Sequence, residues 1–159
     1  MLEPMMLSRH QRGFTLIELL VVMAIIAVLL SLAVPSFREQ LARRALEGAA
    51  NELSADLQYT RTQAVSNNAV TALATTSVSQ YTITSGANPP YKTVTLDPAL
   101  NVTAGVTVSY DPLRAMANAV TLTLTSTRTT ASLQLDTNAM GRVRLCLPPG
   151  SDLKGYKAC

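Results

Sequence analysis

Residues 14–34 read FTLIELLVVMAIIAVLLSLAV, and a single member of the run, Glu18, carries a charge. At about 1.5 Å of rise per residue, a helix of this length covers roughly 30 Å, the hydrocarbon thickness of a bilayer. An ordinary secretory signal peptide, cut near Ser31-Leu32-Ala33, is the first competing reading. It fits poorly, because the apolar run outlasts a usual signal core and carries an acid in its first turns. A buried helix of a globular core is the second. It fits poorly too, because the run is apolar on every face. The stretch reads as a membrane span.

Outward from it, Arg9 and Arg12 precede the span, and Arg38, Arg43 and Arg44 follow it closely. Charge counting therefore leaves the orientation open. The only two cysteines, Cys146 and Cys159, look like a disulfide pair, which places the C-terminal part in an oxidising compartment. Two free thiols are the alternative, and a two-cysteine metal site is weaker still. Composition narrows the function. The single histidine, His10, lies among the first dozen residues, so removal of that stretch leaves a chain without histidine. Histidine triads, histidine general bases and histidine-containing zinc sites go with it. Neither GxxxxGK[ST] nor GxGxxG occurs. The expectation is a non-enzyme with no catalytic residues, no metal and no cofactor. Five tyrosines, two phenylalanines and no tryptophan argue against an aromatic single-strand platform, and a formal charge of +3 is mild.

The residues Gly13-Phe14-Thr15-Leu16-Ile17-Glu18-Leu19-Leu20-Val21-Val22 closely resemble the N-terminal signature of type IV pilins. The resemblance implies that residues 1–13 are a leader, cut by a prepilin peptidase between Gly13 and Phe14 on the cytoplasmic side. Phe14 is then the N-methylated residue and Glu18 the signature glutamate used in assembly. Pro35 falls where pilins carry a helix-kinking proline. Physical chemistry agrees with these roles. Cleavage leaves an amine on Phe14 one helical turn before Glu18, and a carboxylate in lipid needs a partner. In the family, a neighbouring subunit's amine supplies it, although an i,i+4 pairing within one chain also fits. Pro35 offers no N–H to the Ser31 carbonyl and crowds that turn, which predicts a kink or local melting.

Beyond the span 14–34, residues 35–66 continue as an amphipathic helix. Phe37, Leu41, Ala45, Ala49, Leu53, Leu57 and Ala64 supply the apolar positions, with Arg43, Glu47, Glu52, Asp56 and Arg61 mostly elsewhere. Asn67-Asn68 is a plausible stop, because asparagine tolerates the left-handed conformation. Eighteen of nineteen threonines lie at or after Thr60. Strands are expected near 70–76, 79–85, 93–96, 102–110, 119–126, 131–136 and 142–147. The clearest is Val120-Thr121-Leu122-Thr123-Leu124-Thr125, with strict period-two alternation. Asn88-Pro89-Pro90, Asp97-Pro98 and Asp111-Pro112 read as turns. The fold class is α+β: a long N-terminal helix packed on a small antiparallel β domain, residues 67–159.

Long helix, then Thr60-Arg61-Thr62-Gln63-Ala64-Val65-Ser66-Asn67-Asn68-Ala69-Val70-Thr71, then many short strands resembles the GspH/FimT branch of the pilin superfamily. That branch implies a minor pilin or pseudopilin in the bacterial inner membrane, its C-terminal domain periplasmic, with other pilins as filament partners. Gly141-Arg142-Val143-Arg144 resembles the G-R-x-R element of FimT-like competence pilins, associated with double-stranded DNA binding. In a strand, Arg142 and Arg144 project to one face, about 6–7 Å apart. A 146–159 disulfide holds Lys154 and Lys157 near it, and four cations on such a tip collect phosphates without reading sequence. An edge strand made soluble by charge is the plainer alternative. The expected function is a FimT-like minor type IV pilin. A GspH-type pseudopilin of type II secretion is the runner-up, and a membrane-anchored hydrolase is a distant third.

Overall fold

The computed structural model describes residues 13–86 and 88–159. Arg9, His10, Arg12 and the rest of the leader up to residue 12 lie outside the described residues. One helix, α1 (Leu16–Ser66), precedes eight strands: β1 (Thr71–Ser77), β2 (Gln80–Ser85), β3 (Lys92–Thr95), β4 (Leu100–Val102), β5 (Thr107–Tyr110), β6 (Val120–Ser126), β7 (Ser132–Thr137) and β8 (Val143–Cys146). The chain divides into two compact units, Met1–Arg38 and Glu39–Cys159, and α1 contributes to both.

In the first unit, Leu16 starts the helix behind a Thr15 cap, whose hydroxyl accepts the Glu18 backbone N–H at 3.3 Å. Thr15-Leu16-Ile17-Glu18 has the spacing of a capping box. Every side chain described from Phe14 to Arg38 is exposed, apolar ones included. An all-round apolar surface on a helix this long suits lipid rather than water. Helical structure continues through Pro35, so the local melting expected there does not occur.

In the second unit, residues Glu39–Ser66 of α1 pack on two four-stranded antiparallel sheets, ordered β3-β2-β1-β5 and β4-β6-β7-β8. The buried helix face is Ala42, Leu46, Ala50, Leu53, Leu57, Thr60 and Ala64. The expected row was thus partly misplaced: Leu53, Leu57 and Ala64 hold, but Phe37, Leu41 and Ala45 are exposed. Alanine and leucine fill two adjacent helical rows here, and periodicity cannot choose between them. At its end, Asn68 takes φ +48°, with Asn68 N–H to the Val65 carbonyl and Ala69 N–H to the Ala64 carbonyl. This is the Schellman arrangement, as the asparagines suggested.

The strands follow their alternation. Leu122 and Leu124 of β6 and Leu133 and Leu135 of β7 point into the core, while Thr121, Thr123 and Thr125 do not. The expected single strand 102–110 is in fact two. Gly105, at φ +73°, breaks it, and Thr75 holds the crossing by accepting Val106 N–H on its hydroxyl at 2.9 Å. β4 then pairs with β6 in one sheet and β5 with β1 in the other. This segment links the two sheets.

Candidate functional site

At the N-terminal end of the described chain, Gly13-Phe14-Thr15 is irregular backbone ahead of the helix. A Cβ placed on Gly13 meets nothing within 4 Å, and Phe14 is 83% exposed. Glu18 is exposed on the apolar helix, one turn after Phe14.

At the other end of the sequence, β8 is an edge strand beside β7. It is introduced by a tight loop built on Asn138, whose side-chain oxygen accepts the N–H groups of Met140 and Arg142. Gly141 sits in that loop at φ +71°, and a Cβ there would lie 2.5 Å from the Ala115 carbonyl oxygen, with Tyr110 and Arg61 close behind. The glycine of the G-R-x-R element thus has a conformational reason of its own. Arg142 and Arg144 are exposed, and Val143 and Leu145 between and after them pack against the core.

Cys146 and Cys159 form a disulfide, with Cα atoms 5.1 Å apart. Leu147 N–H donates to the Lys157 carbonyl at 2.8 Å, and Cys159 N–H donates to the Leu147 carbonyl at 3.0 Å. The intervening loop is held at several points. Ser151 bonds both backbone groups of Ser132, the Arg43 guanidinium donates to the Asp152 carbonyl at 2.7 Å, and Leu153 is buried. Lys154 and Lys157 are exposed.

These anchors hold the backbone that carries the four cations. Gly141 lies against Arg61, whereas Asp152 is held by Arg43, and eighteen helical residues separate the two contacts, roughly 27 Å. Arg142 and Arg144 belong to β8 and the loop that introduces it, and Lys154 and Lys157 to the disulfide loop, where the Lys157 carbonyl pairs with Leu147 at the end of β8. The register also places Asp136 of β7 opposite Arg144, with an ion pair of 3.5 Å. Burial raises the Asp136 carboxyl, but hydrogen bonds from Gln134, Thr121 and Arg144 outweigh it and hold the group below its ordinary value. Arg144 is 64% exposed, so the pair is loose. Counting charges from Thr137 onward misses this acid; only strand register supplies it. Among the described residues, Arg142, Lys154 and Lys157 have no carboxylate within ion-pair distance.

One polar cluster escaped the sequence reading. Asp56, assigned to the solvated face of α1, is only 6% exposed. Its carboxylate accepts the Tyr81 hydroxyl at 2.7 Å and the Lys92 ammonium at 2.6 Å. This ties α1 to β2 and β3. Burial, then the hydrogen bond to Asp56, pushes the Tyr81 phenol well above its ordinary range. A charged residue in an amphipathic pattern is read as exposed by default, and its partners lie 25 and 36 positions away.

A long N-terminal helix packed on antiparallel sheets, with an apolar first half and a disulfide-closed C-terminal loop, defines the pilin-like class. The chain belongs to the family described as type II transport protein GspH, whose model matches residues 49–152, and residues 8–34 match the prokaryotic N-terminal methylation motif. It is 30% identical to the pilin-like protein PilA1 of Thermus thermophilus, over 85% of this chain and 98% of that one. It is 36% identical to a fimbrial protein of Pseudomonas aeruginosa over 75 residues, a match spanning about half (49%) of that protein's length. Among solved structures, it is similar to the type IV minor pilin FimU of P. aeruginosa, with a TM-score of 0.53 and 22% identity over 63% of this chain and 91% of that one. It is also similar to the minor pseudopilin EpsH of the Vibrio cholerae type 2 secretion system, with a TM-score of 0.52 and 12% identity over 64% and 96%. At these identities the structural likeness carries the fold. The chain is thus a member of the pilin and pseudopilin family, with the methylation motif at the head of its apolar helix.

Proposed function

We propose that the chain is a minor type IV pilin of the FimT kind, which enters a filament with other pilins and touches double-stranded DNA without reading its sequence. A prepilin peptidase cleaves Gly13–Phe14 and methylates Phe14. Glu18 pairs with a neighbouring subunit's N-terminal amine during assembly, and Pro35 bends the helix. The span 14–34 sits in the inner membrane with residues 67–159 in the periplasm. The observation that carries the DNA contact is the file of exposed cations along β8 and the disulfide loop: Arg142, Arg144, Lys157 and Lys154. Phosphate contacts of this kind are electrostatic and salt-dependent.

The test is a titration of duplex DNA against the full chain in zwitterionic nanodiscs, at several salt concentrations. Three unpaired cations give a slope of log K against log salt of about −2.7, and four give about −3.6. Replacing both Arg142 and Arg144 by alanine leaves Lys154 and Lys157, so the slope should fall to about −1.8, with the fold intact because both side chains are exposed. Absence of binding at low salt, or equal binding by wild type and double mutant, defeats the DNA contact.

A second reading, a GspH-type pseudopilin of type II secretion without nucleic-acid contact, is favoured by the Asp136–Arg144 pair. That pair ties one of the four cations to an acid.

A further inference from the structure

The second unit carries two adjoining surface hollows between α1 and the β2–β3 region. One, of about 530 Å³, is lined by Tyr59, Gln63, Asn67, Ser85, Asn88 and Tyr91, among others. The other, of about 380 Å³, is lined by Ala55, Asp56, Lys92 and the same two tyrosines. Tyr59 and Tyr91 stand between them edge to face, with ring centroids 6.3 Å apart, and each is 43% exposed. The chain has seven aromatic residues in all, and two of them line this trough half in solvent. From Ala55 to Asn67, the trough follows α1 for roughly 18 Å.

The lining chemistry selects among ligands. Among the described residues Lys92 is its only cation, and Asp56 already holds that ammonium at 2.6 Å, so an anionic ligand finds no free charge there. Purely aliphatic lining is confined to Ala55, Ala69 and Pro89, too little for an apolar helix. What dominates is aromatic surface carrying hydroxyls, together with side-chain amides. Asn67 spends its amide N–H on Gln63, and Asn88 spends one on the Ser85 carbonyl. The amide oxygens of Asn67 and Asn88 and the Gln63 amide N–H groups remain without protein partners among the described residues. Donors and acceptors in planar pairs, beside ring surface, match a ligand whose hydroxyls alternate with C–H faces.

We propose that this trough binds a neutral oligosaccharide, with Tyr59 and Tyr91 packing against sugar C–H faces and Gln63, Asn67 and Asn88 taking the hydroxyl or acetamido groups. The site is separate from the basic sheet edge and does not depend on DNA contact.

The experiment is saturation-transfer NMR on chitotetraose and cellotetraose with the full chain in phosphocholine nanodiscs, a medium free of glycosidic detergent. Wild type should transfer saturation to at least one tetrasaccharide with a millimolar or tighter Kd. Tyr59→Ala and Tyr91→Ala should each weaken binding at least tenfold, and Gln63→Ala, an amide change on the helix surface, severalfold. The Arg142→Ala, Arg144→Ala double mutant should bind sugar as wild type does. Far-UV circular dichroism identifies any tyrosine variant that fails to fold, and Gln63→Ala then decides. Three results overturn the proposal: no transfer to either sugar, undiminished transfer in the folded variants, or a proline-rich decapeptide occupying the trough while both sugars do not.

Discussion

Gly141 shows how one residue can look functional and be conformational. Its φ of +71° is a region that side chains rarely adopt, and the space a methyl needs is filled by the Ala115 carbonyl. Gly141→Ala should lower unfolding stability by about 2–3 kcal/mol, combining left-handed strain with a backbone clash. Urea denaturation checks this, and a loss below about 0.5 kcal/mol counts against the geometry. Tyr81 gives a pH signature. The fold holds its phenol protonated, chiefly by burial and then by the hydrogen bond to Asp56, against an ordinary value of 10.0. A raised folded value means that the stability contributed is complete below the unfolded value and falls away as pH rises through the folded one. The urea midpoint should therefore hold up to about pH 10 and decline above it. Tyr81→Phe should be less stable at neutral pH, by about 1.5–3 kcal/mol for a hydrogen bond to a charged group, yet decline less steeply in alkali. A midpoint equal at pH 8 and pH 11 in wild type would refute it.

Among the elements, β8 and its disulfide loop depend most on tertiary support. The strand has four residues and lies at a sheet edge, so isolated pairing would be weak. Arg43, Ser132, buried Leu153 and the Leu147 backbone hold the following loop to the domain. Replacing both cysteines by serine releases a constraint worth about 3 kcal/mol in the chain-entropy model. Thermal melting of the double mutant should show that loss. If DNA follows the cation file, the salt slope should also become shallower, because Lys154 and Lys157 gain freedom. Equal melting temperatures would mean that the non-covalent anchors alone fix the loop. The strand alternation of β6 and β7 was legible because Leu and Thr differ sharply in burial cost. The break between β4 and β5 turns on Gly105, but a lone glycine between two segments of like β propensity also fits a bulge within one strand, so the change of sheet was not legible.

For the molecule as a whole, the proposed route from precursor to filament rests on residues of the first compact unit. Gly13→Leu should leave full-length precursor in the membrane, because a branched side chain obstructs the peptidase beside the scissile bond; a mature Phe14 N-terminus in that mutant rules out the cleavage assignment. Glu18→Val should leave the second unit folded and reduce incorporation into filaments, since Glu18 belongs to the other compact unit. Equal incorporation of mutant and wild type would remove the inter-subunit pairing. Both are read from N-terminal sequencing and sheared-filament fractions.

By itself, the sequence determined what depends on local order along the chain. An apolar run with one acid marks the first half of the long helix, and Gly13-Phe14 before it falls within the methylation motif. Leu-Thr alternation marks the strands, and an asparagine pair marks the end of the helix. Each of these signals is carried by neighbours within one or two turns. The tertiary structure decided what depends on which distant residues meet. It chose Ala42-Leu46-Ala50 over Leu41-Ala45 as the inner row, because both rows satisfy the helical period and only the sheets distinguish them. It buried Asp56, because Tyr81 and Lys92 arrive from other elements to satisfy the carboxylate. It set Asp136 against Arg144, because strand register fixes pairings that spacing along the chain does not contain.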